Sequence, residues 1–147
     1  MTLKSAALLI LTIFAGLQIY IRLAVNDPAD WHVDLVKARP ADLVPNPSAA
    51  ITRLEGGAFV DLTPTDPAAA LAAMAQAAAA TPRTQVFAGS VAEGHVTWET
   101  RSLLWGFPDY TTAQVTPQGL TVYARLRFGR GDMGVNAARL AEWTAGL

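Results

Sequence analysis

The sequence has no cysteine, which excludes disulfides, thiolate zinc sites and cysteine nucleophiles together and leaves the redox compartment open. Histidine is almost as scarce. His32 and His95 are the only two, on different segments and without the close spacing of helix-borne ligands, which argues against a histidine-built metal site. An excess of charge of one sign is also missing: 11 Lys and Arg against 12 Asp and Glu leave a net charge of -1, so no general attraction to nucleic acid is expected. No GxSxG elbow occurs, and Ser90 and Ser102 lie inside strand-like runs with no histidine adjacent to them. Neither cofactor nor metal is called for.

A long apolar run is present only at the front of the chain. Ser5 to Ile21 carries no charge, is flanked by Lys4 and Arg22, and with Leu23 to Val25 gives about twenty mostly apolar residues, enough to cross a bilayer. Arg22 can snorkel to the headgroups, and Tyr20 sits where interfacial aromatics are favoured. The segment RLAVNDP is a poor match to a cleavage site, which favours an uncleaved anchor over residues 1-25 rather than a signal peptide. The basic residues 22, 37 and 39 oppose the short basic leader in the orientation count, but Asp27, Asp30 and Asp34 dilute them. The expected location is therefore a single-pass inner-membrane protein with its C-terminal domain in the periplasm.

Residues 26-48 are rich in proline and aspartate and lack a sustained period of 2 or 3.6, so they read as an extended linker stiffened by Pro28, Pro40, Pro45 and Pro47. Packing on the domain is the plainest role for Trp31. Residues 49-147 suffice for an independent core. Ala58 to Leu62 reads as a short strand. Thr65 or Asp66 can cap a helix opening with Pro67 and running to Ala80, with an apolar stripe of Leu71, Met74, Ala75 and Ala78. Four further strands are predicted at 84-91, 95-104, 110-116 and 120-128, joined by turn signals that force antiparallel neighbours. In the last, Leu120, Val122, Ala124, Leu126 and Phe128 share one face and Thr121, Tyr123, Arg125 and Arg127 the other. A final helix, about 137-145, would be capped by Asn136. The expected class is α+β: an N-terminal transmembrane helix, then a small antiparallel sheet of about five strands with two helices on one face.

Gly129 to Gly134 spells GxGxxG between a strand and a helix, but Asp132 would repel a pyrophosphate and no strand pattern follows to complete a βαβ unit. A glycine-supported turn is the expected role. Arg101, Arg125 and Arg127 share the polar sheet face with Glu99 and Tyr123, and Arg130 stands at the strand end. They read either as a cationic patch for a phosphate or carboxylate group or as a solvated face with cross-strand charge pairs.

The blocks TRSLLWGFPDY and VYARLRFGRGDMGVNAARLAEW resemble the bacterial family called domain of unknown function 1499. Arg101, Ser102, Gly106, Phe107, Pro108, Asp109, Arg125, Arg127, Gly129, Asp132, Gly134, Val135, Asn136 and Arg139 carry the resemblance, and Trp31 to Asp34 is similar to the segment preceding the domain in membrane-anchored members. Ala124 and Ala137 depart from the usual serine and arginine. The resemblance implies a domain and no activity. Three roles are open for Arg101, Asp109, Tyr123, Arg125, Arg127, Asp132, Asn136 and Arg139. The first is an accessory or binding domain, contacting a membrane-complex protein or an anionic ligand through the basic sheet face. The second is a small hydrolase or isomerase using Asp109, Asp132 and the arginines. The third makes Arg101, Asp109, Arg125, Asp132, Asn136 and Arg139 an internal network that pins the turns and the last helix.

Overall fold

Six antiparallel strands form one sheet in the order β1-β2-β6-β5-β4-β3, where β1 is Thr52–Leu54, β2 Gly57–Leu62, β3 Thr84–Ser90, β4 His95–Arg101, β5 Pro108–Thr116 and β6 Gly119–Leu126. The computed structural model describes residues 2-39, 44-46 and 48-147, so the expected stiffening by Pro40 and Pro47 lies outside the described residues. Strands β3 to β6 are the predicted meander. The sixth strand, β1, is an edge strand too short for alternation to reveal, turned back onto β2 through Glu55 and Gly56.

Helix α3, Pro67–Ala80 in the chain's numbering, carries the chain from β2 across the sheet to its far edge at β3. Its cap is Asp66, whose Oδ1 accepts from the amides of Ala68 and Ala69 at 3.0 Å, with Pro67 supplying the fixed φ of a first turn. Ala70, Leu71, Met74 and Ala78 are buried against Ala58, Val60, Leu62, Val96, Trp98, Ala113, Leu120, Val122 and Ala124. Helix α4, Val135–Trp143, completes that layer with Ala137, Leu140 and Trp143. Trp143 packs edge-on against Trp98, and its Nε1 donates to Thr81 Oγ1 at 2.8 Å.

The expected cap of α4 is corrected. The helix begins before Asn136, which is itself wholly buried, and the chain enters it through Gly134 at φ 82, a left-handed turn that favours glycine. Asp132 takes the capping role: its Oδ1 accepts from the Gly134 amide at 3.0 Å and its Oδ2 from the Asn136 amide at 2.8 Å.

At the front, α1 (Leu3–Leu23) is a 21-residue helix long and apolar enough to cross a membrane. It is exposed along almost its whole length, with only Ile21 buried. A single turn of helix, α2 (Pro28–Trp31), follows at once, capped by Asp27.

The extended linker is corrected over residues 27-39, which form a strap across the polar face of the sheet. Trp31 stacks on Tyr110 of β5 at 4.3 Å, and His32 stacks on His95 of β4 at 3.8 Å. His32 Nδ1 shares a 2.9 Å hydrogen bond with Thr97 Oγ1, and His95 Nε2 donates to the Val33 carbonyl. The imidazole of His32 occupies the space a side chain at Gly89 would need: an added Cβ would stand 2.6 Å from His32 Cε1. Leu35 is fully buried, and its amide donates to Gln114 Oε1 at 2.7 Å. Arg39 then grips Asp61 of β2 with two bonds, at 2.8 and 2.6 Å. Under this cover Thr97, Tyr110 and Thr112 have no exposure at all, so the face is polar in composition yet dry over its centre.

Candidate functional site

The eight residues singled out from the sequence separate onto two sides of the sheet. Asp109, Asp132, Asn136 and Arg139 meet on the helix side. Arg139 donates from Nη1 to Asn136 Oδ1 at 2.6 Å and from Nη2 to Asp109 Oδ2 at 3.3 Å, while Asp132 holds the Asn136 amide. Burial pushes the Asp109 carboxyl up, against the pull of Arg139. Burial also acts to raise Asp132, but the amides of Asn136 and Gly134 outweigh it and hold that carboxyl below its ordinary value. Asp132 is thus bonded to the entry of α4 and Asp109 to Arg139 within it. An acid and base pair needs free oxygens directed at a substrate, and both oxygens of Asp132 already accept backbone N–H groups.

Arg101, Tyr123, Arg125 and Arg127 stand on the strap side. Arg101 and Arg125 are not on neighbouring strands, because β5 runs between β4 and β6. Arg101 is spoken for: its Nη2 pairs with Glu99 Oε1 at 2.5 Å and its Nη1 donates to the Gly106 carbonyl. Glu99 is itself buried and also accepts from Gln85 Nε2. Next to it, burial and then the Glu99 charge push the Tyr110 hydroxyl up to about 12, so it stays a neutral phenol.

Arg125 has a different setting. Its guanidinium lies over the rings of Tyr123 and Trp31, 4.9 and 5.2 Å from their centroids, and Nη2 donates to the Trp31 carbonyl at 2.7 Å. Burial lowers its pKa, and as an arginine it keeps its charge. Arg127 donates to the Val25 carbonyl at 3.2 Å and lies over Phe128. Among the described residues neither arginine forms an ion pair, and Arg125 Nε and Arg127 Nη1 have no hydrogen-bond partner. With Arg130 they line an open groove of about 390 Å³, whose other walls are Asp30, Trp31, Glu55, Gly56 and Tyr123. Trp31 could not be assigned to this groove from local pattern, since it lies 94 residues from the arginine it receives.

A family model described as Protein of unknown function (DUF1499) matches residues 37-147. The chain belongs to the DUF1499 family. Comparison with curated proteins and with solved structures finds no match. The DUF1499 match opens inside the strap, leaving Trp31, His32 and Leu35 ahead of it. Ala124 of β6 and Ala137 of α4 are both buried in the core between sheet and helices, apart from the arginine groove of this DUF1499 domain.

Proposed function

We propose that this DUF1499 chain is a membrane-anchored binding domain whose groove between Trp31, Tyr123, Arg125, Arg127 and Arg130 receives an anionic group, a phosphate or a carboxylate. One observation carries the reading: Arg125 and Arg127 line the groove with their guanidinium groups held against aromatic rings and backbone carbonyls, and no carboxylate is paired to them among the described residues. Taking charge out of water is costly without compensation, and an incoming anion would supply it. A guanidinium oriented by stacking loses little freedom on making a forked bond to such a group. The ligand is a free small anion or the acidic side chain of a membrane-complex protein; the chemistry recognised is the same. The setting we favour is a bacterial inner membrane with the domain in the periplasm, in keeping with the short basic leader ahead of α1.

The test is a titration of the full chain in detergent micelles with inorganic phosphate and, separately, with succinate, read by tryptophan fluorescence. Saturable quenching by one of them is expected, weakened at least tenfold in Arg130→Gln and in Arg125→Lys, a loss of about 1.4 kcal/mol. Quenching that never saturates with either anion, or that is as strong in both variants as in the unaltered chain, would remove the proposal.

A further inference from the structure

The loop Ser102 to Phe107 projects three large apolar side chains outward. Leu103 is 78 % exposed, Leu104 68 % and Trp105 39 %, an arrangement a water-facing loop of a small domain does not need. The loop is not loosely hung. The Ser102 amide donates to the Phe107 carbonyl at 3.0 Å, the Gly106 amide donates to the Ser102 carbonyl, the Phe107 amide donates to Ser102 Oγ, and the Gly106 carbonyl accepts from Arg101. Its base is therefore closed on itself, and closure drives residues 103-105 to the crest. Trp105 stacks on Phe107, which leans on Phe128, so the crest rests on a stiff aromatic footing.

Its neighbour is α1. The Trp105 ring meets the Phe14 ring edge-on, with centroids 5.5 Å apart, and the Arg22 guanidinium lies over Gly106. At 1.5 Å per residue Phe14 is roughly 13 Å along the helix from Leu23. A helix that spans a bilayer therefore carries this loop alongside its own C-terminal half. Around the base of the loop, Arg22, Arg83 and Arg101 line a cleft of about 360 Å³ with Ser102 and Gly106. Arg83 and Arg22 have no ion pair among the described residues. The order from tip to base is apolar and aromatic, then arginine, which matches the order of acyl chain and phosphate in a leaflet.

From this we infer that the 102-107 loop is a second membrane contact: Leu103, Leu104 and Trp105 insert into the leaflet through which α1 leaves the bilayer, and Arg22 and Arg83 meet lipid phosphates above them. The inference rests on the anchor part of the function proposed above and is independent of the anion groove. Two attachments rather than one fix the tilt of the domain, so the sheet stands in one orientation over the lipid.

The absence of cysteine makes the test direct. The full chain is reconstituted into vesicles of phosphatidylcholine and phosphatidylglycerol, with single spin labels introduced by Leu103→Cys, Leu104→Cys, Ile10→Cys or Glu93→Cys. Collision with oxygen and with a water-soluble nickel chelate is measured at each. The expected result is that labels at 103 and 104 follow the label at 10, gaining oxygen collisions and losing the chelate, while the label at 93 stays in water. If 10 is in lipid and 103 and 104 are as wet as 93, the loop inference is wrong and the anchor stands. Labels at 103 and 104 shielded from both reagents would mean a protein covers the loop, which also overturns it. A wet label at 10 would refute the anchor and the loop contact together, and would leave the anion titration to be judged by itself.

Discussion

Replacing Asp132 by alanine isolates what holds the last helix onto the sheet. The carboxylate accepts two amides, Gly134 at 3.0 Å and Asn136 at 2.8 Å, at the positive end of α4, and the substitution removes both bonds and the favourable charge together. A lost cap costs about 1-2 kcal/mol. The Asn136 residue it held is fully buried and carries Arg139, which in turn pairs with Asp109, so part of the cost of an orphaned buried amide, about 1-3 kcal/mol, is added. The sum, about 2-4 kcal/mol, is less than the stability typical of a domain, so the variant stays folded at 25 °C and melts roughly 10-20 °C lower. Thermal melts of the full chain in micelles, followed by circular dichroism, measure this. Asp132→Asn keeps one carbonyl oxygen and is expected to lose about half as much. The sign of the pH dependence follows from the direction of the shift. A carboxyl held below 3.8 in the folded chain contributes stability that is complete above that value and lost as pH falls through the folded pKa. The gap between wild type and Asp132→Ala must therefore shrink at pH 3. A variant that melts with the wild type at pH 7, or a gap undiminished in acid, would refute the assignment of Asp132 as the cap.

Other consequences concern the strap. Burial first, and then the charge of His95, lower the pKa of His32 against a smaller opposing pull from Glu93, so the folded chain prefers the neutral ring. That preference stabilises the strap fully above pH 6.5 and is lost as pH falls through the folded value; exchange of the Leu35 amide, corrected for its intrinsic rate, should accelerate between pH 7 and pH 5 and do so less in His32→Gln. Arg39→Ala leaves Asp61, among the described residues, with Thr121 and the Asn46 amide, a loss of about 1.5-3 kcal/mol in urea unfolding. Gly89→Ala combines a φ of 71° with clashes against the His95 carbonyl and the His32 ring, and should destabilise by more than about 1 kcal/mol while exposing Trp31 to acrylamide quenching.

The sheet was readable where its period is strict. Leu120, Val122 and Ala124 against Thr121, Tyr123 and Arg125 place β6 and both its faces, and the Asp66-Pro67 start of α3 is a local signal that the fold obeys. Short β1 offers no period to detect. The strap escapes local pattern because its contacts with β4, β5 and β6 join residues 62 to 94 positions apart, and a run of prolines and aspartates without such contacts would be a tether. Composition favours Asn136 as the cap, whereas the left-handed Gly134 moves the helix start two residues back and hands the role to Asp132. Of the candidate site, the arginines of β6 were legible and the tryptophan that orients one of them was not, since nothing local joins them.

The brevity of the passage from α1 to the strap sets how far this domain can travel. Between Leu23 and Pro28 the backbone spans at most roughly 17 Å even if drawn straight, and the Val25 carbonyl is already tied to Arg127. With α1 in a bilayer there is no slack for the sheet to rise or swing. A protein partner anchored in the same bilayer then reaches the domain by lateral diffusion, a two-dimensional search along the surface. A partner on a long stalk or in bulk solution would have to come down to it.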